Sequence, residues 1–357
     1  MAAIDSYLKR LVENGGSDLH FLAGDPPRIR VNGDLKPLEN DVLQPAMAKE
    51  MLEEILSATA RKALDDHDGA DFAHEIEGIG RFRVNVMRHL NGLGGIFRAI
   101  PSAAKTLQEL NMPSVIYSLC KHKNGLILVT GKTGSGKSTT LAAMVDAINR
   151  RMKGHIITIE DPIEFIHPRR SCLISQREVG VHTNSFAAAL HSALREDPDV
   201  ILVGELRDLE TMSIAVTAAE MGILVMGTLH TNGAAPTVDR IVNAFPSDKQ
   251  GPIRTMLATS LRAVISQQLI PTADKKGRVA ALEIMVNTSA VSNLIRQGKL
   301  DQLENTIQSG ISSGMQTMDG ALTQLYKQRK ITGDEAYQKA IKKLKFEELK
   351  GTGLYGS

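Results

Sequence analysis

Gly131-Lys132-Thr133-Gly134-Ser135-Gly136-Lys137-Ser138 fits the spacing G-x-x-x-x-G-K-S/T in full. Its glycines let the backbone turn so that successive N–H groups point inward at phosphate oxygens. A helix beginning near Lys137 adds the positive end of its dipole. Gly131, Thr133, Gly134, Ser135, Gly136, Lys137, Ser138 and Thr139 are therefore the expected nucleotide-binding residues. Lys137 would reach the β- and γ-phosphates, and Ser138 would ligate Mg²⁺. An ordinary glycine-rich turn lacks the context found here, a strand-like run from Leu126 to Val129 before the loop and the helical run Thr140-Leu141-Ala142-Ala143-Met144-Val145 after it.

A water attacking a γ-phosphate needs a carboxylate in hydrogen-bond reach, and the apolar run Val200 to Val203 delivers one at Gly204-Glu205. Glu205 is the expected catalytic base. Gly204 stands where the generic pattern has Asp, so the support for Mg²⁺ must come from elsewhere. Ile157-Thr158-Ile159-Glu160-Asp161-Pro162-Ile163-Glu164 ends a second strand in three carboxylates. Of these, Glu160 and Glu164 are expected at the metal through its waters, Glu164 also at the reaction centre. Asp161 suits a helix cap or a pairing with Arg169 or Arg170. A further apolar run, Ile223 to Leu229, ends at His230-Thr231-Asn232, where a neutral imidazole would sense the γ-phosphate or position water.

Arg81, Arg83, Arg88 and Arg98 interrupt two otherwise apolar strands. Surface arginines usually solvate a face, but phosphoryl transfer gains from an arginine supplied in trans. Arg81 and Arg83, two apart, project from one face of a strand and are expected to act across a subunit boundary. Arg195, Arg207, Arg240 and Arg262 compete for that role.

These residues need a scaffold, and 357 residues suit two domains. Ile4, Leu8, Leu11 and Val12 predict an opening amphipathic helix that ends near Gly15-Gly16. Short strands follow at residues 19–22, 28–31, 71–74, 81–86 and 95–98, with a turn at Asn32-Gly33-Asp34 and a helix over 45–65. This is an α+β domain over residues 1–100. A linker over 101–118, opening at Pro101-Ser102-Ala103, is a plausible hinge. Apolar runs at 126–129, 156–159, 200–203 and 223–226 alternate with helical stretches and predict a doubly wound α/β core over 119–288. Residues 289–357 read as helices.

Composition narrows the partners. With 42 basic and 40 acidic residues the net charge is +2, too balanced to argue for nucleic acid or an anionic membrane. The N-terminus lacks a signal-peptide pattern and no stretch approaches the length of a membrane helix, so direct membrane insertion is not expected. Cys120 and Cys172 form no C-x-x-C pair, which makes a reducing cytosol the default and buried thiols the expected state.

Taken together, the phosphate loop, the carboxylate box at 159–164, the strand with Gly before Glu205 and the histidine box at 227–232 resemble the secretion ATPase superfamily that powers type IV pili and type II and IV secretion. Gly16-Ser17-Asp18-Leu19-His20-Phe21 and Asp25-Pro26-Pro27-Arg28-Ile29-Arg30-Val31-Asn32-Gly33 are similar to the N-terminal signature of its pilus-retraction branch. The assembly branch adds an N-terminal domain and a four-cysteine zinc site, and neither is evident in this sequence. The resemblance implies a PAS-like N-terminal domain, a RecA-like ATPase domain and a homo-hexameric ring hydrolysing ATP with Mg²⁺. It also implies a cytoplasmic location, peripheral at the inner membrane through a platform protein of the pilus machinery. A late retraction motif of the form A-I-R-N-L-I-R-E is matched by Ala290-Val291-Ser292-Asn293-Leu294-Ile295-Arg296-Gln297, without its first Arg and final Glu. An accessory retraction ATPase is the alternative within the superfamily. Outside it stand a P-loop phosphotransferase, which would need an acceptor pocket, and a nucleotide-gated scaffold, which would bind without turnover.

Overall fold

The computed structural model describes residues 2–31, 33–100 and 104–354. They fall into two units, Met1–Ala103 with Glu164–Ile166, and Ala104–Ile163 with His167–Ser357. Asn32 of the expected turn and Pro101, Ser102 and Ala103 of the expected linker lie outside the described residues.

In the first unit, α1 (Asp5–Glu13) buries Leu8 and Leu11 and leaves Val12 exposed. Then come β1 (Asp18–Leu22), β2 (Arg28–Val31), β3 (Asp34–Pro37), α2 (Pro45–Glu53), α3 (Ala58–His67), β4 (Gly69–Ile76), β5 (Gly80–His89) and β6 (Gly92–Ile100). The strands form an antiparallel sheet in the order β3-β2-β1-β6-β5-β4. Phe82, Val84 and Val86 alternate along β5 and are fully buried with Phe21 and Phe97, each contributing about 1.5–3 kcal/mol of hydrophobic stabilisation. Where one helix over 45–65 is expected there are two. Ser57 takes an extended conformation, and its hydroxyl accepts the Ala60 N–H at 3.1 Å, starting α3 afresh. Strand β3 has no apolar alternation, all four residues being exposed, and is held by its pairing with β2.

The second unit opens with α4 (Ser114–Leu119), which begins inside the stretch expected as linker and ends one residue past it. It continues with β7 (Gly125–Thr130), α5 (Lys137–Arg151), β8 (His155–Glu160), β9 (Leu173–Glu178), α6 (Phe186–Ala193), β10 (Val200–Val203), α7 (Leu209–Glu220), β11 (Leu224–Leu229), α8 (Ala234–Asn243) and α9 (Ser247–Ser260). A hairpin of β12 (Leu261–Pro271) and β13 (Arg278–Val286) precedes α10 (Ser289–Gln297), α11 (Leu303–Ser309), α12 (Met318–Lys327) and α13 (Gly333–Lys339). The sheet order is β13-β12-β7-β11-β10-β8-β9, parallel except for β13. Every residue of β7, β10 and β11 is buried, as a sheet covered on both faces requires. Ile127, Val129 and Ile265 pack with α4 and α5 on one face, while Leu126, Leu128 and Val264 pack with α6 to α9 on the other. Between β12 and β7 the register slips once: Leu261 stands opposite Leu126 but Ala263 opposite Ile127, so Arg262 is a bulge.

Cys120 and Cys172 are buried, and burial pushes the Cys120 thiol up to about 12. Among the described residues, no helix is long and apolar enough to cross a membrane.

Candidate active site

Strand β7 delivers the chain to Gly131 and α5 takes it up at Lys137, so the phosphate loop joins a buried strand to a helix N-terminus. Gly131 and Gly136 have φ of +139° and +87°, where L side chains are strained, and neither has room for one. A Cβ at Gly131 would collide with the Gln267 carbonyl, and one at Gly136 would come within 2.7 Å of Gln267 Nε2. Lys137 is buried, and its Nζ donates to the carbonyls of Gly131 at 2.9 Å and Lys132 at 3.2 Å, which holds the ammonium over the loop. Ser138 and Thr139 are half-buried in the first turn of α5. Ser135 Oγ is buried without a protein hydrogen-bond partner. Thr133, Gly134 and Ser135 line a cavity of about 480 Å³ that also receives Lys132, Asn232 and Arg278. Two cations, a spare hydroxyl and the start of a helix fit the phosphates of a nucleotide.

Glu205 follows β10 and His230 follows β11, neighbouring strands that run in parallel. Glu205 Oε1 lies 3.2 Å from His230 Nε2, and Arg207 Nε donates to Oε2 at 2.7 Å. The Thr228 hydroxyl donates to the Gly204 carbonyl at 2.5 Å and the Leu206 N–H to the Thr228 carbonyl at 2.9 Å, fixing the backbone on both sides of Glu205. Gly204 itself donates to the Ile159 carbonyl at 2.7 Å, and a Cβ there would stand 3.2 Å from that oxygen and 3.3 Å from Glu160 Cα. The close approach of β8 explains a glycine where the generic pattern carries Asp.

Glu160 ends β8, is buried, and accepts the Thr158 hydroxyl at 2.7 Å and Gln176 Nε2 at 3.3 Å. Asp161 is not joined to Arg169 or Arg170. It lies 4.0 Å from Arg207, and Arg170 pairs with Asp146 at 3.1 Å. Glu164 groups with the first unit, where Arg81 and Arg83 stand on β5 opposite Glu75 and Ala73 of β4. Of the four competing arginines, Arg207 contacts Glu205 at 2.7 Å, Arg195 meets His191 at 3.5 Å, Arg262 meets Asn124 at 2.7 Å, and Arg240 lies in the last turn of α8. Among the described residues no group of three His, Cys, Asp or Glu gathers as a protein-only metal cage.

Gln267, on β12, belongs to the site and is absent from the sequence reading. It is 2% exposed; its Nε2 donates to the Ser135 carbonyl at 2.7 Å and its Oε1 accepts the Thr140 hydroxyl at 2.7 Å, clasping the loop and the helix that follows. The available signal is the polar triplet Ser266-Gln267-Gln268 inside an otherwise apolar run.

A family model described as type II/IV secretion system protein matches residues 1–347. The type IV pilus retraction ATPase PilT of Pseudomonas aeruginosa is 49% identical over 337 residues, spanning 94% of this chain and 98% of that protein. The type IV pilus ATPase PilU of the same organism is 42% identical over 332 residues, spanning 93% and 87%. A crystal structure of the pilus retraction motor PilT with bound ADP superposes with a TM-score of 0.90 at 42% identity, covering 98% of this chain and 99% of that one.

Proposed function

The chain belongs to the type II/IV secretion system protein family, and from that premise we infer that it is the ATPase motor of type IV pilus retraction, the activity behind twitching motility. The observation that carries this is the meeting of Glu205 and His230 past the ends of parallel strands, in the sheet whose strand β7 leads into the phosphate loop. The likeness to the retraction motors runs nearly end to end.

The loop amides and Lys137 bind the phosphates of ATP. Ser138 and Glu160 would hold Mg²⁺, which when bound would neutralise charge on the phosphoryl oxygens, while Glu164, expected with them, groups with the first unit. Glu205 takes a proton from water as its oxygen bonds to the γ-phosphorus and the bond to the β-phosphate oxygen breaks. His230 orients that carboxylate. Arg81 and Arg83 of a neighbouring subunit in a homo-hexamer meet the developing charge, with Arg207 as the competitor within the subunit. Motion follows as a PAS-like domain, residues 1–100, turns against a RecA-like core, residues 119–288, across the linker. The work is delivered in the cytoplasm to a platform protein at the inner membrane.

An accessory retraction ATPase is the second reading. Ser292, where the retraction motif has Arg, donates to the Ala258 carbonyl and lies 3.2 Å from Asn287 Oδ1, so it is engaged inside the unit.

Rings co-assembled from Glu205→Gln and Arg81→Ala/Arg83→Ala chains test the shared site. Recovered ATP hydrolysis supports it. Confirmed mixed rings without activity remove the trans arginines and leave Arg195, Arg207, Arg240 and Arg262.

A further inference from the structure

Glu283 is a buried carboxylate with no place in the scheme above. It lies on β13 directly opposite Ser266 of β12 and is 7% exposed. Its Oε1 accepts the N–H of Ala234, the first residue of α8, at 2.8 Å, and the Met318 N–H at the start of α12 also donates to it. Beside it, Ser266 Oγ accepts the Gly233 N–H at 2.9 Å. Thr237 closes the loop from the other side, donating to the Gly233 carbonyl at 2.6 Å and meeting the Thr231 hydroxyl at 2.7 Å. The segment immediately after His230 is thus tied to the β12–β13 hairpin at two consecutive amides.

A carboxylate is a costly group to bury for capping alone, since a neutral amide oxygen would also accept the Ala234 N–H. Burial pushes the Glu283 carboxyl above the usual carboxylate range, and the two converging amides act against that push, because hydrogen bonds to a charged acceptor are the stronger kind. The same carboxylate joins the histidine loop to α12, in the C-terminal helical region. We propose that Glu283 is a positioning residue for ATP hydrolysis: by fixing the loop from Thr231 to Ala234 it sets His230 against Glu205, and through Met318 it couples that setting to the C-terminal helices. The proposal rests on the reading of His230 as part of the hydrolytic site.

The test uses full-length chains: Glu283→Ala, Glu283→Gln, Ser266→Ala, His230→Ala and Glu283→Ala/His230→Ala. Steady-state phosphate release and the affinity for a fluorescent ADP are measured on each. Misplacing His230 lowers kcat about tenfold to a hundredfold in Glu283→Ala, while ADP affinity and KM for ATP stay within about twofold. Glu283→Gln keeps one acceptor and recovers part of the loss. The double variant is no slower than His230→Ala. Independent, multiplying losses in the double variant would overturn the proposal, as would equal losses in kcat and ADP affinity. If Glu283→Ala fails to fold, Ser266→Ala decides: a fall confined to kcat and absorbed by His230→Ala supports positioning, and unchanged turnover refutes it. Full activity in His230→Ala would instead defeat the reading of His230, a result separable from the others.

Discussion

Glu205 and His230 sit side by side, Oε1 to Nε2 at 3.2 Å, because β10 and β11 are parallel neighbours and β11 runs on past the pair of Val203 with Gly227 to Leu229, just before His230. With Arg207 on the second oxygen, both oxygens of this carboxylate are engaged and its plane is set. Glu205→Gln keeps the shape and loses the base. Phosphate release should fall at least about a hundredfold with ADP affinity unchanged. Equal losses of turnover and affinity would place Glu205 in nucleotide binding instead.

Replacing Gln267 by Leu leaves the Ser135 carbonyl and the Thr140 hydroxyl buried without their partner. Each orphaned group costs about 1–3 kcal/mol. A lowered melting temperature is expected, together with weaker ADP binding, because the phosphate loop loses the side chain that clasps it. Thermal unfolding with and without ADP reads both, and an unchanged ADP-dependent stabilisation would show that the clasp does not shape the loop.

Gly204→Ala adds a methyl group 3.2 Å from the Ile159 carbonyl and 3.3 Å from Glu160 Cα, against a backbone that cannot swing away. A loss of about 1–3 kcal/mol is expected, read as a lower denaturant midpoint at constant m-value. Gly204→Asp, which restores the generic carboxylate, should be no better. A variant as stable as the parent would show that β8 yields to the added atom.

His167 titrates against the fold. Burial holds its pKa down from 6.5 to about 4, so the unfolded chain takes up a proton across that window while the native one does not. The native state binds fewer protons, and stability is complete above 6.5 and declines as pH falls toward 4, by roughly 3 kcal/mol in all. His167→Leu removes this proton uptake. Between pH 7 and pH 5 its unfolding free energy should fall by about 2 kcal/mol less than that of the parent. Identical pH slopes in denaturant titrations would refute the assignment.

The legible part of the sequence is the part that is local. The phosphate loop declares itself within eight residues, and β7, β8, β10 and β11 stand out as mostly apolar runs followed by the loop, Glu160, Glu205 and His230. By contrast, β9 and β12 carry polar residues among apolar ones, and their place in the sheet depends on partners far away in the chain. Gln267 illustrates the limit, because its bonds reach back 132 positions to Ser135 and 127 to Thr140, which no short-range period records. The break between α2 and α3 is marked only by Ser57, while apolar residues continue on both sides of it. Asp161 has the same limit, since its contact with Arg207 and the pairing of Arg170 with Asp146 both join residues distant in the chain.

The bulge at Arg262 decides which way β12 reads. Extended without it, the pairing of Leu261 with Leu126 would carry Arg262 opposite Ile127, and every later side chain of β12 would change sides. Gln267 would then point away from α5 and Ser266 away from α8. One inserted residue, whose guanidinium touches only Asn124 and Thr259 among the contacts described here, keeps the two loops of the reaction centre anchored to opposite sides of a single strand. A frame slip at that residue would silence the motor with each of its signature motifs intact.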